Sequence, residues 1–430
     1  MKLTPAWRIY LPGAVICAAL TLCSRYFTDR GGPGFMACLA LAGLAYLIAI
    51  RDLFTTPTFP RHVVVIGILL AAVSHVAFLR LPAGPDDDIH RYVWDGRLQR
   101  LGYNPYLVIP SDPAAQHLHT AETRSLNNPD LPTPYPPGAE LFSRAITAIS
   151  ESTFALKVAF VLCDMAIVLV LLDLLRMTGR GSHLVLAFAW NPLLAIEVAG
   201  SGHIDIVGAL LLVVSVAALA RRWRPIAAVA LGLAIAVKFL PIVLLPLYWK
   251  RIRIRDAALA AIVVGILCVP FMNHGHMPTG SLGTYVQTFR FNGPIFAALA
   301  HLAPPRLFAV LAVLVGFATA IWLRKREPKL SPEAFAWPMA ASLLFAPVVF
   351  PWYLLWLLPF VTSASTLLII IWTVSIIPTY VQWHLRALGR PWGALPGWIM
   401  LIEYGCVAIA AVLIWLYLRR NSGHAGAQSS

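Results

Sequence analysis

"TFALKVAFVLCDMAIVLVLLDLL", residues 153–175, decides the fold class. Runs of roughly 20 apolar residues match the ~30 Å hydrocarbon core of a bilayer at about 1.5 Å of helix rise per residue. Comparable runs occupy 63–79, 206–220 and 398–417. The chain of 430 residues is 59% hydrophobic and only 12% charged, against roughly 25% charged residues in a soluble domain. A closed β-barrel shows alternating segments of about 10 residues instead. The expected fold is all-α and polytopic, with 11 to 13 transmembrane or half-membrane helices and residues 1–430 forming a single integral membrane domain.

The net charge of +14 sits mostly in short clusters between apolar runs. These are Arg221, Arg222 and Arg224; Lys250, Arg251, Arg253 and Arg255; Arg324, Lys325 and Arg326; Arg419 and Arg420. Such spacing follows the positive-inside rule and not a nucleic-acid surface. Cysteines 17, 23, 38, 163, 268 and 406 form no CxxC and no metal-ligand spacing, so they read as small buried residues. Lys2, Arg8 and the run to Cys23 imitate a signal peptide. Leu22 in "LTLC" suits a lipobox poorly, and 9–24 is expected to be a retained first helix.

With the N-terminus inside, helices at 9–24, 35–50 and 63–79 deliver residue 80 to the outer side. Arg25 and Arg30 run against the charge rule there. Residues 80–150 then form the longest polar segment, an extracytoplasmic loop. Later turns place "RMTGR", "RRWR", "RKREPK" and the C-terminal "LRR" inside. Residues 225–249 are too short for two full spans and hold Lys238 and Pro241 at their centre. They read as a broken helix pair meeting at Lys238, which a membrane tolerates where it lines a cavity. Residues 272–293 form a second outer loop. No inner segment is long enough for a nucleotide-binding domain, and no P-loop or GxGxxG is present. The chemistry is therefore expected on the outer face.

Nine of the nineteen acidic residues fall between 80 and 151. Asp88, Arg91, Tyr92 and Asp95 share one helical face. Asp86 or Asp87 after Pro85 suits an N-cap, and a capped helix with an Arg91–Asp95 pair is the bland reading. Asp88 and Asp95 would stand roughly 10 Å apart along the helix axis, wider than the ~5 Å pair of a retaining glycosidase. One catalytic carboxylate fits better than two.

Beyond this helix, "NPDLPTPYPPGAELF" at 128–142 reads as a rigid loop or the wall of a cleft. In "GSGHID" at 200–205, Asp205 either complements a helix dipole or joins His203 in contacting substrate. Lys238 is a costly cation in an apolar stretch, so either functional or snorkelling. Arg290 and Asn292 in "TFRFNGP" lie on the outer side. Trp352 and Tyr353 in "APVVFPWYLLWLLPF" suit an interfacial belt or a platform for sugar or prenyl groups. His117-x-His119 and His274-x-His276 read as loop residues, and no metal or other cofactor is expected.

These blocks, in this order, resemble the membrane-embedded glycosyltransferases of the C-type fold (GT-C). More narrowly they resemble the bacterial polyprenyl-phosphate-dependent set around glycosyltransferase family 87 and the α-1,6-mannopyranosyltransferases. The strongest carrier is "DDIHRYVWDGRLQRLGYNPY"; "YPPGAELF", "SGHIDIVGALLL", "AVKFLPIVLLPLYWKR" and "FPWYLLWLLPF" also look like family blocks. Phe350 departs from the pattern, where histidine often stands, and His90 replaces a more usual tyrosine. The resemblance implies a bacterial inner-membrane enzyme with an extracytoplasmic active site. It further implies a polyprenyl-phosphate sugar donor, mannose favoured, an acceptor hydroxyl on a glycan, glycolipid or protein, and inversion at the anomeric carbon. A carboxylate takes the acceptor proton, with Asp88 the first candidate and Asp87 the second. Lys238, Arg91 and Arg290 are the cations available to the leaving phosphate. The alternative is a transporter or flippase of lipid-linked sugars, which should place its acids within the spans and often shows inverted repeats. Asp164, Asp173 and Glu197 do lie in or near spans.

Overall fold

The computed structural model describes residues 6–84, 87–273, 277–327, 329–392 and 395–427. Among the described residues eight helices are long and apolar enough to cross a membrane: Trp7–Asp29, Pro33–Thr55, Arg61–Leu79, Thr153–Met177, Ile254–Phe271, Pro305–Arg326, Ala364–Ala387 and Gly397–Leu416. A further pair, Ser182–Ala189 and Pro192–Gly200, is bent by 53°. The bend falls where Asn191 caps the second piece through Leu193 N–H and Pro192 opens it. Asp205–Ala220 and Arg224–Val237 are shorter apolar helices. The protein is an all-α, multi-pass membrane protein, and among the described residues no strand forms beyond isolated bridges of Phe291 and Asn292 to Val348.

The break expected within 225–249 falls at Lys238. Arg224–Val237 is α-helical, Lys238 is extended (φ −159°, ψ 144°), and Leu240–Tyr248 continues as a 3-10 helix. The apolar pattern further predicts two helices, roughly 352–361 and 366–380, and both expectations shift. Residues 352–361 form only short 3-10 turns, Pro351–Trp356 and Leu358–Phe360, because Pro351 and Pro359 interrupt the run. The span expected to stop near 380 continues helically through Val381–Ala387.

The two ends of the bundle differ in charge. At one end Arg221 binds Asp173, Arg180 pairs with Glu333, Arg251 donates to Lys329 O at 2.8 Å and Arg324 donates to Trp249 O at 3.1 Å. The basic clusters thus gather together. At the other end lies the 80–152 segment, where helices Asp88–Arg100 and Pro137–Ile149 pack on each other. Gly96 permits that approach: a Cβ there would stand 2.5 Å from Thr147 Oγ1. Trp94, Leu98, Ala115, Leu118 and Leu126 form a small separate core that fastens the following loop to the helix. One continuous apolar core, from Ile9 to Ile399, joins the spans beneath it.

Candidate active site

A cavity of about 830 Å³ opens at the polar end of the bundle. Its walls come from Phe27–Arg30, residues 82–84, Asp87, Asp88 and Arg91, the 127–136 loop, His203 and Asp205, 238–240, 281–289 and parts of 342–356 and 383–392. Its lining mixes apolar residues, among them Leu240, Val286, Phe289 and Leu343, with the charged groups of Arg30, Asp87, Asp88, Asp205 and Lys238.

Asp88 opens its helix and reaches into this cavity with 18% of its side chain exposed. Asn127 Nδ2 donates to its Oδ1 at 2.5 Å. Burial pushes the Asp88 pKa up, and the Lys238 charge with hydrogen bonds from Asn127 and Tyr135 opposes that shift. The shared helical face predicts Arg91 and Tyr92 as the groups that hold Asp88; the structure supplies Asn127, Tyr135 and Lys238 instead. Asp87 occupies the N-cap position but does not cap. Its carboxylate accepts from Arg30 at 2.8 Å and from Gly84 N–H at 2.7 Å. Asp86 lies outside the described residues.

Asp205 is fully buried and accepts from Lys238 Nζ at 2.8 and 2.9 Å and from Trp356 Nε1 at 2.7 Å. Lys238 remains 20% exposed to the cavity, over the Tyr353 ring at 4.2 Å. The chain break at Lys238 projects the ammonium sideways instead of along a helix. Its partner is a buried carboxylate, which answers the snorkelling reading. His203 stacks on Trp352 with ring centroids 3.9 Å apart. Burial, with the charges of Lys238 and Arg30, holds its pKa well below the usual histidine value, so the ring is neutral. Gly202 at φ +75° turns the chain into this position, and a Cβ there would meet Ile89 at 2.4 Å.

Asp87, Asp88, Arg91, His203, Asp205, Lys238, Trp352 and Tyr353 all line the cavity. Arg91 does so with its guanidinium engaged by the carbonyls of Asn127, Asn128 and Leu131, so it shapes the 127–131 loop and does not pair with Asp95. Four expected site residues fall elsewhere. Tyr92 is buried against Tyr135 and Phe160. Asp95 is buried between the two polar-end helices, beside Glu140. Arg290 folds back on the carbonyls of Phe289 and Gln287 and covers Phe296. Asn292 binds Glu403 at 2.9 Å within the core. His119 stacks on Trp94, while His274 and His276 lie outside the described residues. Among the described residues no His, Cys, Asp and Glu cluster of metal-binding form occurs.

The sequence reading passed over Arg30, Asn127, Tyr135 and Trp356. Arg30 is 6% exposed, donates to Ser201 Oγ at 2.7 Å and to Asp87, and lines the cavity. Its signal was present, since an arginine at the wrong end for the charge rule needs a partner.

Fold and site together define a multi-pass membrane protein with a carboxylate-and-cation cavity at its polar end. The family described as "alpha-(1->6)-mannopyranosyltransferase, N-terminal domain" matches residues 35–251, just over half of the chain. The chain belongs to that family of mannosyltransferases and is a glycosyltransferase. The matched stretch includes Asp88, the 127–136 loop, His203, Asp205 and Lys238; the walls from 281 onward lie beyond it. No curated protein and no solved structure matches the chain.

Proposed function

We propose that this mannosyltransferase takes its sugar from a polyprenyl-phosphate donor and transfers it, with inversion, to an acceptor hydroxyl on a glycan, glycolipid or protein. Asp88 acts as the general base. The observation that carries this reading is the cavity itself: one space is lined by an accessible carboxylate, a partly exposed lysine and a set of apolar side chains. The lipid chain lies along the apolar side chains, with its phosphate toward Lys238. The acceptor enters from the 127–136 loop. Asp88 takes the acceptor proton as the oxygen attacks, and the phosphate leaves as an anion whose charge Lys238 stabilises. A phosphate leaving group requires no general acid. Arg30 is a further cation on the cavity wall, balanced by Asp87.

The charge distribution supports an orientation with the basic end in the bacterial cytoplasm, along with both termini, and the cavity outside. Asp87 is the poorer base because Arg30 and Gly84 N–H already hold its carboxylate. The acids in or near spans, which a transporter would use, pair locally: Asp164 with His75, Asp173 with Arg221 and Glu197 with Tyr380.

The test is turnover of the purified protein in detergent with a panel of polyprenyl-phosphate sugars, the product read by mass spectrometry. Polyprenyl-phosphomannose should be consumed. Asp88→Asn should lower turnover by roughly 10²–10⁴ while the protein still binds the lipid phosphate. Near-wild-type turnover in Asp88→Asn would remove the assigned base, and use of a nucleotide sugar alone would remove the donor.

A further inference from the structure

Behind Asp88 the structure lines up a second carboxyl group through an imidazole. Residues Ala195–Gly200 form a π-helix, a widened turn that carries Glu197 into the core. The backbone N–H of His203 donates to Glu197 O at 2.8 Å, which ties the two residues together. Glu197 Oε2 stands 3.1 Å from His203 Nε2. On the far side of the same ring, His203 Nδ1 stands 3.9 Å from Asp88 Oδ2. His203 and Glu197 are 2% and 1% exposed, and among the described residues Glu197 Oε2 and both ring nitrogens of His203 make no hydrogen bond, which leaves all three atoms buried and unpaired between the two carboxyl groups. Tyr380 donates to the other oxygen of Glu197. Trp352 stacks on the ring and holds its plane between the two carboxyl groups.

We propose that Glu197 and His203 form a proton relay behind the catalytic carboxylate, removing from Asp88 the proton it takes from the acceptor. This rests on the reading of Asp88 as base. In the transfer step the acceptor O–H bond breaks, its oxygen bonds the anomeric carbon, and the phosphate departs with the electron pair of the old C–O bond. Asp88 now carries the proton. His203 Nδ1 accepts it as Nε2–H passes to Glu197 Oε2. One proton has moved between two carboxylates, the imidazole has changed tautomer, and no net charge has been created. The reverse transfer needs protonated Asp88 as its acid, so withdrawal of the proton commits the reaction forward until the cavity opens to water.

The other charged groups facing the relay each have a partner of their own. Arg30 pairs with Asp87 and Lys238 with Asp205. On the two helices packed against the π-helix, His75 pairs with Asp164 at 3.2 Å and Lys157 donates to Leu81 O at 2.8 Å. Glu197 and His203 are positioning residues, acting on substrate only through Asp88.

The experiment compares Glu197→Gln, His203→Ala and Asp88→Asn in detergent-purified full-length protein. Each is assayed for turnover of polyprenyl-phosphomannose between pH 5.5 and 9, with and without added imidazole, and for polyprenyl-phosphate binding. Glu197→Gln should lower kcat by roughly tenfold or more, with an altered pH profile and unchanged lipid binding. His203→Ala should show a similar loss, and imidazole should restore it several-fold. Asp88→Asn should be inactive and should not respond to imidazole. If Asp88→Asn is inactive while Glu197→Gln and His203→Ala keep wild-type turnover and pH profile, the relay is overturned and the base survives. If Asp88→Asn is active, the base assignment fails and the relay with it. Should Glu197→Gln fail to bind lipid, the imidazole response of His203→Ala decides: rescue supports the relay, and its absence overturns it.

Discussion

Lys238 pairs with Asp205 in this structure and is proposed to bind the donor phosphate, and a double-mutant cycle can part the two. The perturbation is Lys238→Met, Asp205→Asn and the two combined. Asp205 is completely buried and takes both ends of its carboxylate to Lys238, at 2.8 and 2.9 Å, with Trp356 Nε1 at 2.7 Å. Lys238→Met strands that carboxylate with only the indole N–H. Removing one member of a buried ion pair costs about 3–5 kcal/mol, and water reaching the 20%-exposed lysine side places this case near ~3 kcal/mol. Loss of the Tyr353 ring contact adds about 0.5 kcal/mol. In the double variant the charge is gone, and an asparagine oxygen still accepts from Trp356. Its stability should return to within about 1 kcal/mol of wild type, giving a coupling of at least about 2.5 kcal/mol in magnitude, to which any cost of Asp205→Asn alone adds. The assay is reversible unfolding in mixed micelles for all four proteins, alongside polyprenyl-phosphate binding by tryptophan fluorescence. Stability should recover in the double variant while lipid binding stays weak. A coupling below about 0.5 kcal/mol would refute the ion pair as the support of the helix break. Wild-type lipid binding in the double variant would refute the phosphate role.

Two further outcomes test the surroundings of the site. Burial pushes the Asp95 carboxyl from its ordinary 3.8 up to about 7, with Glu140 beside it raised as well. The folded state therefore holds protons that the unfolded chain has lost: the Asp95 contribution to stability should fall as pH rises from about 4 to about 7, and the Glu140 contribution should keep falling beyond it. Asp95→Asn should remove much of that decline, so its melting temperature in detergent should gain on wild type between pH 5 and pH 8; a shrinking gap over that interval would contradict the buried acid. At Gly208, a Cβ would stand 1.9 Å from the fully buried Trp356 ring. Gly208→Ala should cost about 1–3 kcal/mol by overpacking and withdraw the indole N–H from Asp205, lowering both thermal stability and lipid binding; an unchanged protein would mean the ring has room to move.

Much of this architecture was legible because membranes make charge expensive. The basic clusters at 221–224, 250–255 and 324–326 marked one end of the bundle, and the hydrogen bonds of Arg221, Arg251 and Arg324 hold that end together. Lys238 stood out in an apolar run, and the chain breaks there. Asp88 was found by the acid-rich helix start. What stayed hidden was pairing over long sequence separation. Asn292 and Arg290 look as polar as any site residue, yet Asn292 is committed to Glu403, 111 positions away, and Arg290 to its own loop. Asp95 shares a helical face with Asp88 in projection, but the Pro137–Ile149 helix covers it.

Arg30 shows the same physics from the other direction. Its position broke the charge rule, which by itself looked like noise in the topology. A buried guanidinium is tolerated only when its donors are met, and Arg30 meets them with Asp87, 57 positions on, and Ser201, 171 positions on. Asp87 is thereby occupied as a counter-ion, which leaves its neighbour Asp88 as the carboxylate turned to the cavity. The residue that read as an exception to the topology is thus the one that separates the roles of two adjacent aspartates.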